Sequence, residues 1–207
     1  MSSTQAAPAQ AKAPGSGNKI YIAFVPWVLF TLVAQHSTLK LGAGLALVAA
    51  IVIAIPGIVN GRPKLLELGA VLTFAAFAVL ALTADHSVTT WMARYARGIA
   101  AAVLALIAFG SLVVTPFTEQ YARESVPKQF WGSPQFKQIN RKLTVMWGSV
   151  FLAMIPFHIA AGLLDHKWSN IAFNWVVPIY LLVWAGKRTA AVSDDDSNAR
   201  PQAAAAR

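Results

Sequence analysis

Residues 41–59 read LGAGLALVAAIVIAIPGIV, a run of 19 residues without a single charged side chain. An α-helix of about 20 apolar residues is long enough to cross the roughly 30 Å hydrocarbon core of a bilayer. Five further apolar stretches, each 15 to 22 residues long, accompany it along the chain. The sequence therefore predicts an all-α polytopic transmembrane bundle with six spans. The predicted spans are 21–35, 41–59, 65–84, 98–115, 143–164 and 171–186.

The composition excludes a water-soluble globule, because 57% of the 207 residues are hydrophobic and only 12% are charged, against about 25% charged in soluble domains. The first and last stretches are shorter than the roughly 17 residues usually needed, which leaves open a five-span arrangement with one re-entrant stretch. Tyr21 beside Lys19, and Trp184 followed by Lys187 and Arg188, are the aromatic and basic anchors typical of a headgroup boundary. These anchors favour six spans.

The distribution of charge predicts the orientation. Of the 17 Lys and Arg residues, 13 lie in or directly beside the two tails, in the turn before the third span, or in the connection 116–142. Since positive residues accumulate on the cytoplasmic side, both tails and this connection are predicted to be cytoplasmic. The net charge of +9 thus indicates topology and contact with anionic lipid headgroups, and no nucleic acid is expected as a partner. The polar tails, 1–18 and 189–207, are predicted to be disordered around a bundle spanning 19–188.

Small residues recur at helical spacing in the second and fourth spans, where they let backbones approach closely. We expect the tightest helix contacts to involve these two spans, with prolines bending others. The small residues are Gly42, Ala46, Ala50 and Ala54 in the second span, and Gly98, Ala101, Ala105 and Ala108 in the fourth. The prolines are Pro26, Pro56, Pro156 and Pro178.

Buried ionisable groups are scarce. The predicted spans contain no Asp, Lys or Arg, and Glu67 lies at a span boundary beside Lys64. His158, about two turns inside the fifth span, is the one buried polar candidate, and a satisfied core histidine is favoured over a haem ligand because no second histidine has matching depth. The Asp85-His86 and Asp165-His166 pairs are interpreted as polar helix ends, with a metal site as the less favoured alternative.

No catalytic residue, cofactor-binding residue or metal ligand is assigned. The chain lacks HExxH, GxSxG and glycine-rich phosphate-loop motifs, and without cysteine it has no thiol nucleophile. A non-enzymatic protein is therefore expected.

The connection 116–142, PFTEQYARESVPKQFWGSPQFKQINRK, mixes basic and aromatic residues and is predicted to lie on the membrane surface. Ser133-Pro134 is a typical helix start that leads into the fifth span. The segment is interpreted either as a docking surface for a partner or anionic headgroups, or as an amphipathic bridge between spans. The candidate contact residues are Phe117, Tyr121, Arg123, Lys128, Trp131, Lys137 and Arg141.

Three segments carry a family resemblance: VPWVLF at 25–30, RPKLLE at 62–67 and FKQINR at 136–141, followed by Trp147. With the order of spans, they make residues 19–187 resemble the bacterial intracellular septation protein A family, although 116–124 and the tails depart from its pattern. The resemblance implies a small multi-pass inner-membrane protein linked with septation and envelope synthesis, without a catalytic activity, a cofactor or site residues to transfer. The function expected is the organisation of envelope or division machinery through protein or lipid contacts; the alternative is a small-solute transporter or channel.

Overall fold

A computed structural model describes the backbone of residues 17–205 and the side chains of residues 20–196. Within this part of the chain every regular element is helical, which confirms the all-α class. The α-helices are α1 Gly17–Ala23, α2 Val25–His36, α3 Leu39–Val59, α4 Leu65–Thr83, α5 His86–Val114, α6 Phe117–Ala122, α7 Pro134–Leu164, α8 Lys167–Ile171 and α9 Val177–Ala205. A 3-10 turn, Lys128–Phe130, precedes α7, and a π-helical turn, Ala172–Val176, joins α8 to α9.

Five helices are long and apolar enough to cross a membrane: α3, α4, α5, α7 and the continuous path from α8 into α9. The chain is therefore a multi-pass helical bundle. A shorter apolar helix, Ile20–His36, comes first and comprises α1 and α2.

The first apolar segment contacts the last one near both of its ends. At one end, a Cβ placed on Gly186 would lie 2.6 Å from the Tyr21 hydroxyl. At the other end, the Gln35 side-chain oxygen accepts hydrogen bonds from Trp175 Nε1 at 2.6 Å and Arg97 at 3.1 Å. Trp175 and Gly186 lie near opposite ends of the last apolar stretch, so the first segment runs antiparallel to it. Six crossings rather than five stays a prediction.

With six crossings, the two ends of the chain lie on the same side of the membrane. The chain has no cysteine, so we expect Lys12→Cys and Lys142→Cys to react with a membrane-impermeant maleimide only after cells are permeabilised, and Lys167→Cys to react in intact cells. The cysteine-free chain is the control for background labelling. Labelling of Lys12→Cys in intact cells, with Lys142→Cys still protected, would establish five crossings.

The small-residue faces of the second and fourth spans are buried, as the sequence predicts. The four small residues of α3 and the four of α5 lie in the core. α3 packs between α2 and α4, and α5 packs most extensively against α7. At Gly42, an added Cβ would lie only 2.8 Å from the Ala34 Cβ, so glycine there sets how closely α2 and α3 approach.

Two helices extend well beyond the predicted spans. α5 begins at His86, where Asp85 Oδ1 accepts from the backbone N–H of Val88 at 3.1 Å. α7 begins at Pro134, where Ser133 Oγ accepts from the Phe136 N–H at 3.2 Å, which confirms the predicted helix start. Hydropathy reports only the part of a helix that suits hydrocarbon, whereas the capping residues decide where the helix begins.

The last helix also differs from the sequence expectation. The sequence predicts a disordered tail from residue 189, whereas α9 continues to Ala205. Its extension packs along α7, because Trp147 Nε1 donates to Thr189 Oγ1 at 3.0 Å and Gln135 Nε2 donates to Asp196 Oδ1 at 2.9 Å. Both contacts join residues that are far apart in the sequence, so local composition does not predict them. The predicted N-terminal tail lies outside the described residues except for its last two, which begin α1.

Candidate functional site

α6 is fastened to the bundle by buried hydrogen bonds at the predicted cytoplasmic end. The backbone N–H of Phe117 donates to Ser111 Oγ at 3.0 Å, which ties the start of α6 to α5. Thr118 Oγ1 donates to the Asn140 carbonyl at 2.8 Å and lies 2.8 Å from Thr144 Oγ1, which ties α6 to α7. The connection after α5 is therefore folded back onto the helix ends.

Two residues assigned from the sequence to an exposed contact surface are instead buried: Phe117 is 1% exposed and Tyr121 is 2% exposed. They share one face of α6, as their spacing predicts, but that face packs on the bundle, so they dock the helix and are not available to a partner. Burial raises the pKa of the Tyr121 phenol far above its ordinary value, and the carboxylates of Glu67 and Glu124 add to this shift. Tyr121 therefore stays protonated.

Lys64 is at the centre of a charged cluster that joins α6 to the start of α4. Its Nζ lies 3.2 Å from Glu67 Oε1 and 2.7 Å from Glu124 Oε1. It also lies 4.6 Å from the centroid of the Tyr121 ring, within cation–π range. Next to this cluster, Gln120 Oε1 accepts from the backbone N–H of Leu65 at 2.8 Å and so satisfies a free donor in the first turn of α4.

Arg123 is held between a carboxylate and an aromatic ring. One terminal nitrogen lies 2.6 Å from Glu119 Oε1, and the guanidinium carbon lies 5.2 Å from the centroid of the Trp131 ring. Trp131 is itself fixed, since its Nε1 donates to the Val126 carbonyl at 2.7 Å. The Arg123 Nε is buried and has no hydrogen-bond partner among the described residues. Trp27 Nε1 and Arg97 Nε are likewise buried without a partner among the described residues.

The Lys64 cluster and Arg123 border a cavity of about 660 Å³ between the α3–α4 turn and the segment that follows α6. Its lining includes three of the residues predicted from the sequence, Arg123, Lys128 and Trp131. Lys137 and Arg141 are exposed on the first turns of α7 and are not part of it. The full lining comprises Ile53, Pro56, Gly57, Asn60, Arg62, Lys64, Glu67, Arg123, Glu124, Val126, Pro127, Lys128 and Trp131.

Known proteins offer no match to this chain: no family model, no curated protein and no solved structure is similar to it. The resemblance to the septation protein A family consequently stays a prediction. The function has to be inferred from the geometry of the molecule.

The sequence reasoning missed the contribution of the α3–α4 turn to the cavity. From the sequence, Arg62 and Lys64 indicate topology and belong to the segment that carries the family resemblance, and Glu67 is a residue at a span boundary. One feature of the sequence could have indicated this contribution. The α3–α4 turn and the connection are predicted on the same side of the membrane, so their charges share one surface. Which charges meet depends on how α6 docks, and that is a tertiary property.

A second polar cluster lies toward the opposite end of the bundle, around His158. This side chain is 6% exposed, and its Nδ1 lies 2.6 Å from Asn174 Oδ1. Asn174 Nδ2 donates to Asn170 Oδ1 at 3.2 Å, which leaves Asn174 Oδ1 to accept from His158. Asn174 lies in the π-helical turn that precedes Pro178, a residue without the N–H that a regular helix requires. His158 thus links α7 to the distorted start of α9.

The two Asp-His pairs lie at helix ends. Asp85 caps α5, and hydrogen bonds from Ser87 and the Val88 N–H lower the pKa of its carboxyl group. Asp165 ends α7 in a left-handed conformation and pairs with Arg94 at 2.5 Å. In the part of the chain that the structure describes, no three His, Asp or Glu side chains are grouped so that they could hold a metal ion.

Proposed function

We propose that this protein is a non-enzymatic multi-pass protein of the bacterial inner membrane that organises envelope or division machinery through contacts at its cytoplasmic face. The observation that carries the proposal is the connection 116–142, which presents exposed cations on a firmly docked segment. Lys128, Lys137 and Arg141 are exposed, whereas Phe117 and Thr118 anchor the same segment in the core. A cationic surface held in one conformation loses little entropy when it binds, which suits it to recognition.

A small-solute transporter or channel is the alternative, and the cluster around His158 is the feature that favours it, because intramembrane polar groups near distorted helices often mark substrate pathways. Most polar side chains at this end of the bundle bond to one another: His158 to Asn174, and Gln35 to Arg97 and Trp175, while the Arg97 Nε is buried without a partner among the described residues. The cavity described above lies at the other end of the bundle. These two observations support contact at the cytoplasmic face over transport.

The proposal predicts that neutralising the exposed cations of the connection removes the protein's partners. The test variant carries Lys128→Gln, Lys137→Gln and Arg141→Gln. The partners are captured by cross-linking in cells, purification in mild detergent and mass spectrometry. We expect the native chain to retain envelope or division proteins and the variant to retain them at least about tenfold less, since each cation near a charged partner contributes on the order of 1 kcal/mol.

The control carries Lys187→Gln and Arg188→Gln, which remove exposed cations outside the connection on the same predicted side. It should retain the partners. Equal retention by the test and control variants, or a native chain that retains no envelope or division protein, would refute the proposed function.

A further inference from the structure

We propose that the cavity between the α3–α4 turn and the connection binds the phosphate group of one anionic phospholipid from the cytoplasmic leaflet. The inference rests on the proposed function only in placing this end of the bundle at the cytoplasmic surface. It concerns a discrete site for a single lipid, whereas the surface discussed above is an open face for larger partners.

The cavity has two chemically different walls. Ile53 and Pro56, from the last turns of α3, form an apolar wall, and the neighbouring Val52 and Ile55 of that helix are exposed. Arg62 and Lys64 on one side, and Arg123 and Lys128 on the other, supply cations at the level of the helix ends. A phospholipid has the same arrangement of groups, with a charged phosphate next to apolar acyl chains. Basic pockets between helices on the cytoplasmic side are typical sites for anionic headgroups.

The balance of charge in the lining favours an anion. Four cationic side chains and two carboxylates line the cavity. Both carboxylates are paired with Lys64, at 3.2 Å for Glu67 and 2.7 Å for Glu124. Each therefore repels an anionic ligand less than an unpaired carboxylate would. Arg62, in the α3–α4 turn, and Lys128, after α6, both line the cavity and are exposed. Both would attract an anion that enters it.

Arg123 supplies a donor that is already oriented. Its contacts with Glu119 and Trp131 fix the guanidinium, while its Nε has no acceptor among the described side chains and backbone groups. Arginine binds phosphate through several N–H groups in one plane. The Arg123 side chain is 39% exposed, so a phosphate oxygen in the cavity can approach the guanidinium while the ion pair with Glu119 is kept.

The size of the cavity agrees with a headgroup. Its volume of about 660 Å³ falls in the range of roughly 300 to 1,000 Å³ that small-molecule sites occupy. The acyl chains would lie outside it, along the apolar surface of α3.

The test uses the purified full chain and native mass spectrometry, with phosphatidylglycerol, phosphatidylcholine and soluble glycerol phosphate as separate probes. We expect one phosphatidylglycerol per chain, no retained phosphatidylcholine, and no displacement of the lipid by glycerol phosphate at equal concentration. The variant with Arg62→Gln and Lys128→Gln should bind phosphatidylglycerol at least about tenfold more weakly, because two charge-assisted contacts are lost. The control variant with Lys187→Gln and Arg188→Gln should bind it as the native chain does.

Equal binding by the two double variants would overturn the site. Displacement of the lipid by glycerol phosphate at equal concentration would overturn a lipid ligand in favour of a soluble phosphate. The partner-capture experiment is separate, because it measures retained proteins and its test variant shares only Lys128 with the lipid-binding variant. Loss of partners with unchanged lipid binding would therefore count against this site alone, and lipid binding without any captured partner would count against the proposed function alone.

Discussion

Replacing Trp147 with alanine is expected to reduce the free energy of unfolding by about 3 to 5 kcal/mol, the usual cost of removing a large aromatic side chain from a packed core. Trp147 is 1% exposed and stacks on Phe24, with ring centroids 5.2 Å apart. It also packs on Phe151 at 5.7 Å and donates to Thr189. One residue thus joins the first segment, α7 and the extension of α9, so alanine would leave a cavity where three helices meet.

The chain provides a matched control in Trp168, which is 70% exposed at the start of α8. Trp168→Ala should change stability by less than about 0.5 kcal/mol, as is usual for exposed positions. Both variants are measured by reversible unfolding in mixed micelles, followed by far-ultraviolet circular dichroism. Equal destabilisation by the two substitutions would show that the aromatic contacts around Trp147 are not a central part of the core.

Replacing Gly42 with alanine is expected to destabilise the bundle by about 1 to 3 kcal/mol, although alanine is the better helix former. The added methyl group would lie 2.8 Å from the Ala34 Cβ and 2.9 Å from the Ala34 backbone nitrogen. Backbone atoms cannot turn aside as a flexible side chain does, so α2 would have to move away from α3. The first segment would then lose part of its packing against the core.

Gly44, two residues further along the same helix, separates this steric effect from helix propensity. A Cβ at Gly44 would have no atom within 4 Å, so Gly44→Ala should leave stability unchanged or raise it by up to about 1 kcal/mol. The two alanine variants are compared in one unfolding titration. A Gly42→Ala protein as stable as Gly44→Ala would contradict the close approach of α2 and α3.

Much of the fold was predictable because it depends on local properties of the chain. The apolar runs identify the helices, the four-residue spacing from Gly42 to Ala54 identifies the buried face of α3, and Ser133-Pro134 identifies the start of α7. Each of these features is specified within one or a few turns of helix. They concern hydropathy, close backbone approach and capping, which act over short distances in sequence.

The candidate site was predictable only in part, because it is made from segments far apart in the sequence. Aromatic and basic residues correctly mark the connection as distinctive, but periodicity along α6 does not tell whether Phe117 and Tyr121 face the bundle or the solvent. That outcome depends on Ser111, Thr144 and Asn140, which lie on two other helices. The pairing of Lys64 with Glu124 follows from the same docking, so no local pattern reports it.

The contact between the first and last segments has a consequence for biogenesis. During synthesis, α1 and α2 leave the ribosome early, yet Gln35 receives its hydrogen bond from Trp175, and Tyr21 meets Gly186, only after nearly the whole chain has been made. Contacts of such long sequence separation form late and slowly. We therefore expect the short first segment to be the last part of the bundle to reach its final place, and nascent chains that stop before α9 to be the forms most exposed to membrane quality control.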